Sequence, residues 1–239
     1  MEALQGIGGA SFLLISIALA LRLLHLAGRT RAVPELLLGL AFRCGGIGAV
    51  LEAGGQVLAP ERAGPVMAAG KAIGGAGLAL NAVFVWWVFR RGERWALWLM
   101  SFLVLLQGLG YAVHGLTGTF EAGLMARGAF WLEFLGRVAS PLWLGGEAWG
   151  YWLRMRRRAR IGLSDALLQN RFLLWTLASL TGVLLLATSA VPLYVQPGTP
   201  LSDLNLAAFG LLGLTTASFY WLAFFPPRAY RRWVIAAPG

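Results

Sequence analysis

Apolar residues in this chain are gathered into seven long runs: Ile7 to Ala27, Pro34 to Leu58, Pro65 to Phe89, Trp95 to Leu116, Arg127 to Leu153, Phe172 to Tyr194 and Leu204 to Phe225. At about 1.5 Å of rise per helical residue, each is long enough to cross about 30 Å of hydrocarbon. Pro34 and Pro65 stand at the starts of two runs, where a first-turn proline costs a helix least. Gly92 breaks the chain between the third run and the fourth. The pattern predicts an all-α fold, a single seven-transmembrane-helix bundle over residues 1–239. Ile7 to Leu21 imitates a signal peptide, but its basic residues follow the apolar stretch instead of preceding it. A retained first helix is expected.

The charged positions orient the bundle. Arg22, Arg29, Arg31, Arg90, Arg91, Arg94, Arg154, Arg156, Arg157, Arg158, Arg160, Arg171, Arg228, Arg231 and Arg232 fall at alternate ends and loops, and the opposite set holds only Arg62 and Arg127. Basic loops stay in the cytoplasm, so seven spans predict an N-terminus outside and a C-terminus inside. Trp86, Trp87, Trp95, Trp98, Trp149, Trp152 and Trp221 cluster at the arginine-rich ends, as interfacial anchors do. The run from Arg154 to Arg160 is expected to lie against anionic lipid headgroups. Ser164 and Asp165 are candidate caps for the helix that follows.

Composition narrows the function classes. The chain is 58% hydrophobic and 13% charged, against about 45–50% and about 25% in globular domains. Its net charge of +10 is therefore read as membrane orientation, with no nucleic-acid partner. Cys44 is the single cysteine, which excludes an intrachain disulfide and a cysteine-rich metal site. The expected place is a cell inner or plasma membrane, crossed many times.

Ionisable side chains at depth are costly and mark candidate sites. They are Arg43, Glu52, Lys71, His114, Glu133, Arg137 and Glu147. Glu52 and Lys71 lie at one depth on consecutive antiparallel helices, which predicts an ion pair between them. Glu133 and Arg137 are four apart with the acid first, the favourable order for a same-face pair. Pro141 lies four residues after Arg137 and removes the helical donor to its carbonyl, a candidate hinge. Gln107, Tyr111 and His114 recur at i, i+4 and i+7 and predict one polar stripe. With Glu52, Lys71 and Glu133, this stripe would line a pocket for a small polar ligand in the outer half, or form a sealed network that holds helices together. Glu147, deeper, would either complete an inner proton path or meet an arginine. Arg43 is about 180° from Glu52 and is expected to pair elsewhere or to snorkel. Small residues at four-residue spacing, namely Gly45, Ala49 and Ala53, Gly70 and Gly74, and Gly146 and Gly150, predict close helix packing and leave a homo-oligomer open.

A zinc site needs about three converging ligands, and the two histidines, His25 and His114, belong to opposite membrane surfaces. No G-x-S-x-G sequence or phosphate-binding glycine loop is present. No cofactor or metal is expected, and the balance leans away from an enzyme. In layout the chain resembles the seven-helix bundles of microbial rhodopsins and receptor-like membrane proteins, with the same N-out, C-in arrangement. Rhodopsins attach retinal to a lysine of the seventh helix. Here that helix carries Thr215 and Thr216, and the only lysine is Lys71 on the third. The string RIGLSDALLQNRFLLW, Arg160 to Trp175, is similar to uncharacterised seven-helix bacterial proteins. The expectation is a non-enzymatic sensor or small-ligand-binding bundle, with a solute transporter or proton conductor as the alternative.

Overall fold

A computed structural model describes residues 2–58, 63–117, 127–159, 161, 163, 165–195 and 202–236. They form eight helices: α1 (Glu2–Thr30), α2 (Val33–Leu58), α3 (Ala63–Phe89), α4 (Arg94–Thr117), α5 (Arg127–Ala159), α6 (Ala166–Val195), α7 (Asp203–Phe224) and α8 (Arg228–Ala236). Six of them, α1, α2, α3, α4, α6 and α7, are apolar and long enough to cross a membrane. The sixth apolar run begins earlier than expected, because Asp165 accepts from the backbone N–H groups of Leu167 and Leu168 and caps α6 there. Ser164, Arg160 and Arg62 lie outside the described residues, as do the side chains of Ala53 and Arg127. Thr30 ends α1. Arg31 then takes a left-handed backbone, φ 55°, and its N–H closes on the Ala27 carbonyl at 2.8 Å, the αL cap that more often uses glycine.

Among the described residues, neighbour packing closes a ring in the order α1, α2, α3, α5, α6, α7 and back to α1. Helix α4 stands outside that ring, against the seam where α3 meets α5. It accordingly exposes Trp98, Phe102, Leu105, Leu109 and Leu116, an apolar surface suited to lipid. Helix α5 runs 33 residues and continues through Pro141. It packs on α3, α4 and α6, and this enclosure lets it carry Glu133, Arg137 and Glu147 where the other helices are apolar.

Close approach within the ring depends on glycine. A Cβ on Gly48 would meet the Gly74 nitrogen at 2.6 Å, and one on Gly77 would meet the Ala41 carbonyl oxygen at 2.9 Å. The α2–α3 pair therefore uses Gly48, Gly70, Gly74 and Gly77. Gly8 on α1 is pressed against Gly210 on α7 in the same way. The expected pair Gly146 and Gly150 does not pack helices: nothing lies within 4 Å of a Cβ on Gly146, and Gly150 meets only Arg154 of its own helix. It is Gly145 that faces α6, at Ser179.

Aromatic side chains fill the ring toward its arginine-rich end. Phe42 meets Tyr220 edge-on with centroids 5.0 Å apart, Phe84 meets Trp175 at 6.0 Å, and Trp175 stacks on Phe224 at 5.8 Å. Phe42, Phe84, Trp175 and Phe224 join Leu23, Leu38, Val85 and Leu144 in the main apolar core. The polar network described next lies on the other side of it, toward the ends of α2 to α5 that face away from the arginine-rich end.

Candidate functional site

Glu133 of α5 gathers nitrogen partners from three helices. Lys71 Nζ of α3 donates to both carboxylate oxygens, at 2.8 and 2.7 Å. His114 Nε2 of α4 lies 2.7 Å from Oε2; an ionised carboxylate only accepts, so this ring nitrogen carries the proton. Arg137, one turn along α5, places Nη2 2.7 Å from Oε1. The same guanidinium reaches Glu52 of α2, at 2.8 and 3.0 Å. Two carboxylates, one ammonium and one guanidinium therefore balance, with the His114 imidazole beside them. Four helices are joined through one connected set of bonds.

The expected Glu133–Arg137 pair is present, whereas the expected Glu52–Lys71 pair is not: Lys71 bonds Glu133, and Glu52 bonds Arg137. Shared depth was read well, but azimuth decides. Glu52 lies over Gly70 and Gly74, on the α3 face that packs against α2. Lys71 follows Gly70 by about 100° of helix rotation and so meets α5 instead. Exposure also grades across the network. His114 is 2% exposed, while Glu52 and Arg137 are each 25% exposed, so the Glu52–Arg137 edge is the more exposed side.

The predicted stripe on α4 is only partly internal. Leu103, Leu106, Gly110 and His114 are the buried positions. Tyr111 is 41% exposed: each i+4 step drifts about 40° around the helix, and Gly110 takes the inward place, its Cβ position 3.5 Å from Glu133 Cα. Gln107 does face inward. Its amide lies between Gly75 of α3 and Gly136 of α5, and its Nε2 is buried without a hydrogen-bond partner. Arg43 is exposed on the outside of α2, in line with the exposed Leu36, Ile47 and Val50.

Two further polar contacts continue along the α3–α5 seam. Asn81 Nδ2 donates to Ser140 Oγ at 2.9 Å, and that hydroxyl donates to the Leu78 carbonyl at 3.0 Å. Glu147 accepts from Arg90 Nε at 2.8 Å and from Trp143 Nε1 at 3.4 Å; of the two expectations for this residue, the arginine partner is the one observed. Glu133, Ser140 and Glu147 are seven residues apart, a heptad stripe on one face of α5. Asn81 and Ser140 carry no charge and so do not stand out among the ionisable groups of the apolar runs. The i, i+7, i+14 spacing of polar residues in an apolar run was the signal that could have found the seam.

At the arginine-rich end, Arg91 lies over Trp87 at 3.9 Å, Arg154 over Tyr151 at 4.0 Å and Arg156 over Trp152 at 5.4 Å. Trp95, Trp98, Trp149 and Trp221 are exposed there, as anchors would be. Trp86 departs from that belt, since its indole nitrogen is buried. Helix α8 was not anticipated, although RAYRRWVIA places Val234 inward while Arg231, Arg232, Trp233 and Ile235 are exposed. Among the described residues no group of three His, Cys, Asp or Glu side chains could hold a metal ion. Compared with known proteins, the chain matches no family, no curated protein and no solved structure at a significant level.

Proposed function

We propose that this chain is a sensor of small polar ligands, a seven-span bundle of the inner or plasma membrane with its N-terminus outside and its C-terminus in the cytoplasm. The seventh crossing is α5. Its 33 residues extend about 50 Å, it packs along α4 and α6, and its charges are turned toward neighbouring helices. The placement of arginine at one end supports the orientation, with that face against anionic headgroups.

The observation that carries the sensing role is Arg137, which holds Glu52 and Glu133 at once, at the more exposed edge of the network. A small anionic or zwitterionic ligand competes there for the guanidinium and releases Glu52, hence α2, from α5. Pro141 follows four residues later, so the Arg137 carbonyl has no helical donor and α5 has a weak point directly below the network. The basic face would then respond as the lower half of α5 moves. The test is thermal unfolding of the full chain in lipid nanodiscs against a library of small amino acids, carboxylates and polyols. A ligand at about 100 times its Kd should stabilise by about 2.7 kcal/mol. An unmoved transition with every compound would sink the sensing role, and a reporter at the C-terminus found outside the cytoplasm would sink the orientation.

A second reading is proton or solute conduction, favoured by the polar stripe Glu133, Ser140 and Glu147. Successive positions are about 10.5 Å apart along α5, beyond hydrogen-bond reach, so water would have to bridge them. Flux into proteoliposomes that falls with Glu133→Gln would support conduction. Flux equal to that of empty vesicles would remove it.

A further inference from the structure

A concave site lies at the opposite end of the molecule, and its chemistry is unlike the balanced network above. The last turn of α7 ends at Phe224, and α8 folds back beside α6, leaving a cavity of about 350 Å³ between the ends of α1, α6, α7 and α8. That volume falls at the small end of ligand pockets. Its charged lining is Arg22 of α1, Arg171 of α6 and Arg231 of α8, with no carboxylate among the described residues.

Two of these guanidiniums are already fixed. Arg22 Nη1 donates to the Phe224 carbonyl at 2.5 Å, and Arg171 Nε to the Ala223 carbonyl at 3.2 Å. The acceptors are among the last carbonyls of α7, which have no partner within the helix. The helix end contributes only about half a negative charge against three positive ones. Each of these two arginines commits one N–H in those bonds, out of five. Arg22 is also held over the Phe225 ring, 4.5 Å from its centroid. Opposite them, Asn170 Nδ2 donates to Tyr230 Oη at 2.8 Å and ties α8 to α6, which sets the wall that carries Arg231. Leu174, Leu222 and Phe225 give the cavity an apolar side.

We infer that this cavity binds a phosphate group attached to an apolar or glycerol-like moiety. Planar guanidiniums present paired N–H donors that match phosphate oxygens, and charge-assisted bonds of that kind are stronger than neutral ones. Arginines held in place before binding lose less freedom on binding. The three come from three different helices, so an occupant bridges α1, α6 and α8 around the end of α7. Two sources supply this chemistry, the headgroup of an anionic phospholipid in the adjoining leaflet and a soluble organic phosphate. The inference is independent of the sensing role at the other end.

The test uses the full chain purified in neutral detergent, titrated separately with short-chain phosphatidylglycerol, short-chain phosphatidylcholine, glycerol 3-phosphate and inorganic phosphate, with intrinsic tryptophan fluorescence and thermal unfolding as readouts. Arg231→Gln is the main variant, because Arg231 holds no α7 carbonyl. Arg157→Gln, at the end of α5 and outside the cavity lining, is the matched loss of one charge. Binding of phosphatidylglycerol but not of glycerol 3-phosphate supports the cavity with a lipid source; binding of both supports it with a soluble source. In either case Arg231→Gln should weaken binding about tenfold, as loss of one charge-assisted bond does, with Arg157→Gln unchanged. Equal weakening by the two variants would mean diffuse attraction to a basic face and would overturn the site. So would the absence of saturable binding by any phosphate-bearing probe.

Discussion

Lys71 Nζ lies 2.8 and 2.7 Å from the two carboxylate oxygens of Glu133, so the only lysine of the chain joins α3 to α5. The pair is not isolated. Glu133 is also bonded by His114 and Arg137, whereas Lys71 has its bonds to Glu133 alone among the described contacts. The two ends of one ion pair are therefore unequal in what they leave behind when removed.

Glu133→Gln strips one anion from Lys71, Arg137 and His114 together, leaving a buried surplus of positive charge. Removing one member of a buried pair costs about 3–5 kcal/mol, and the full range is expected here. Lys71→Met should cost less, since Glu133 keeps a guanidinium and an imidazole. The double variant should be less destabilised than the sum, by at least about 1 kcal/mol of coupling. Unfolding of the four proteins in one lipid and detergent system measures this. Strict additivity would show that the contact carries no energy.

Gln107 supplies a different kind of test. Its Nε2 is buried without an acceptor between two glycines, and an orphaned buried donor costs about 1–3 kcal/mol. Gln107→Leu, which is close in volume, should leave stability unchanged or raise it. A clear loss of stability on thermal unfolding would show that the amide has a partner supplied from outside the chain, such as water or a ligand held beside Glu133.

Seven of the eight helices and the Glu133–Arg137 pair were legible in the sequence because they depend on distances along the chain, run length and an i, i+4 spacing. The partner of Lys71 was not legible, because it depends on which face of α3 turns toward α2. That face is selected by Gly48, Gly70, Gly74 and Gly77, whose role emerges only when two backbones touch. The same reason separates Gly145, which packs on Ser179, from its neighbour Gly146, which packs on nothing. Arginine-rich stretches have the composition of loops, which conceals the last turn of α5 and all of α8. In α5 the added turn sets the Arg156 guanidinium over the Trp152 ring, and in α8 the helix turns Val234 inward while its arginines stay exposed.

The glycine contacts yield a matched pair of substitutions. A methyl group on Gly48 meets Gly74 N, Gly74 Cα and Gly70 O at 2.6, 2.7 and 2.9 Å, all backbone atoms. Gly48→Ala must push α2 away from α3 and should cost about 1–3 kcal/mol. Gly146→Ala meets nothing within 4 Å and should be neutral or gain up to about 1 kcal/mol of helix propensity. Equal effects on the unfolding temperature would contradict the close α2–α3 contact.

The α3–α4 turn carries the clearest pH dependence outside the spanning segments. Arg90 Nη1 donates to Glu93 at 2.8 Å while its Nε holds Glu147, and Trp95 Nε1 donates to the other oxygen of Glu93. These bonds, first from Arg90 and then from Trp95, hold the Glu93 carboxyl below its ordinary value of 4.5. Bonding to Glu147 and then to Glu93 raises Arg90 further above its already high value, so the arginine stays charged and only the acid titrates. Because the folded pKa of Glu93 is depressed, its contribution is complete above about 4.5 and is lost as pH falls through the lower folded value. Hydrogen exchange across Arg90 to Trp95, followed from pH 6 to pH 3 and corrected for intrinsic rates, should show protection that declines below about 4.5. In Glu93→Gln the acid-sensitive step should vanish, and protection at pH 6 should already be reduced. Curves that run parallel in the two proteins would show that the Arg90–Glu93–Trp95 contacts do not order this turn.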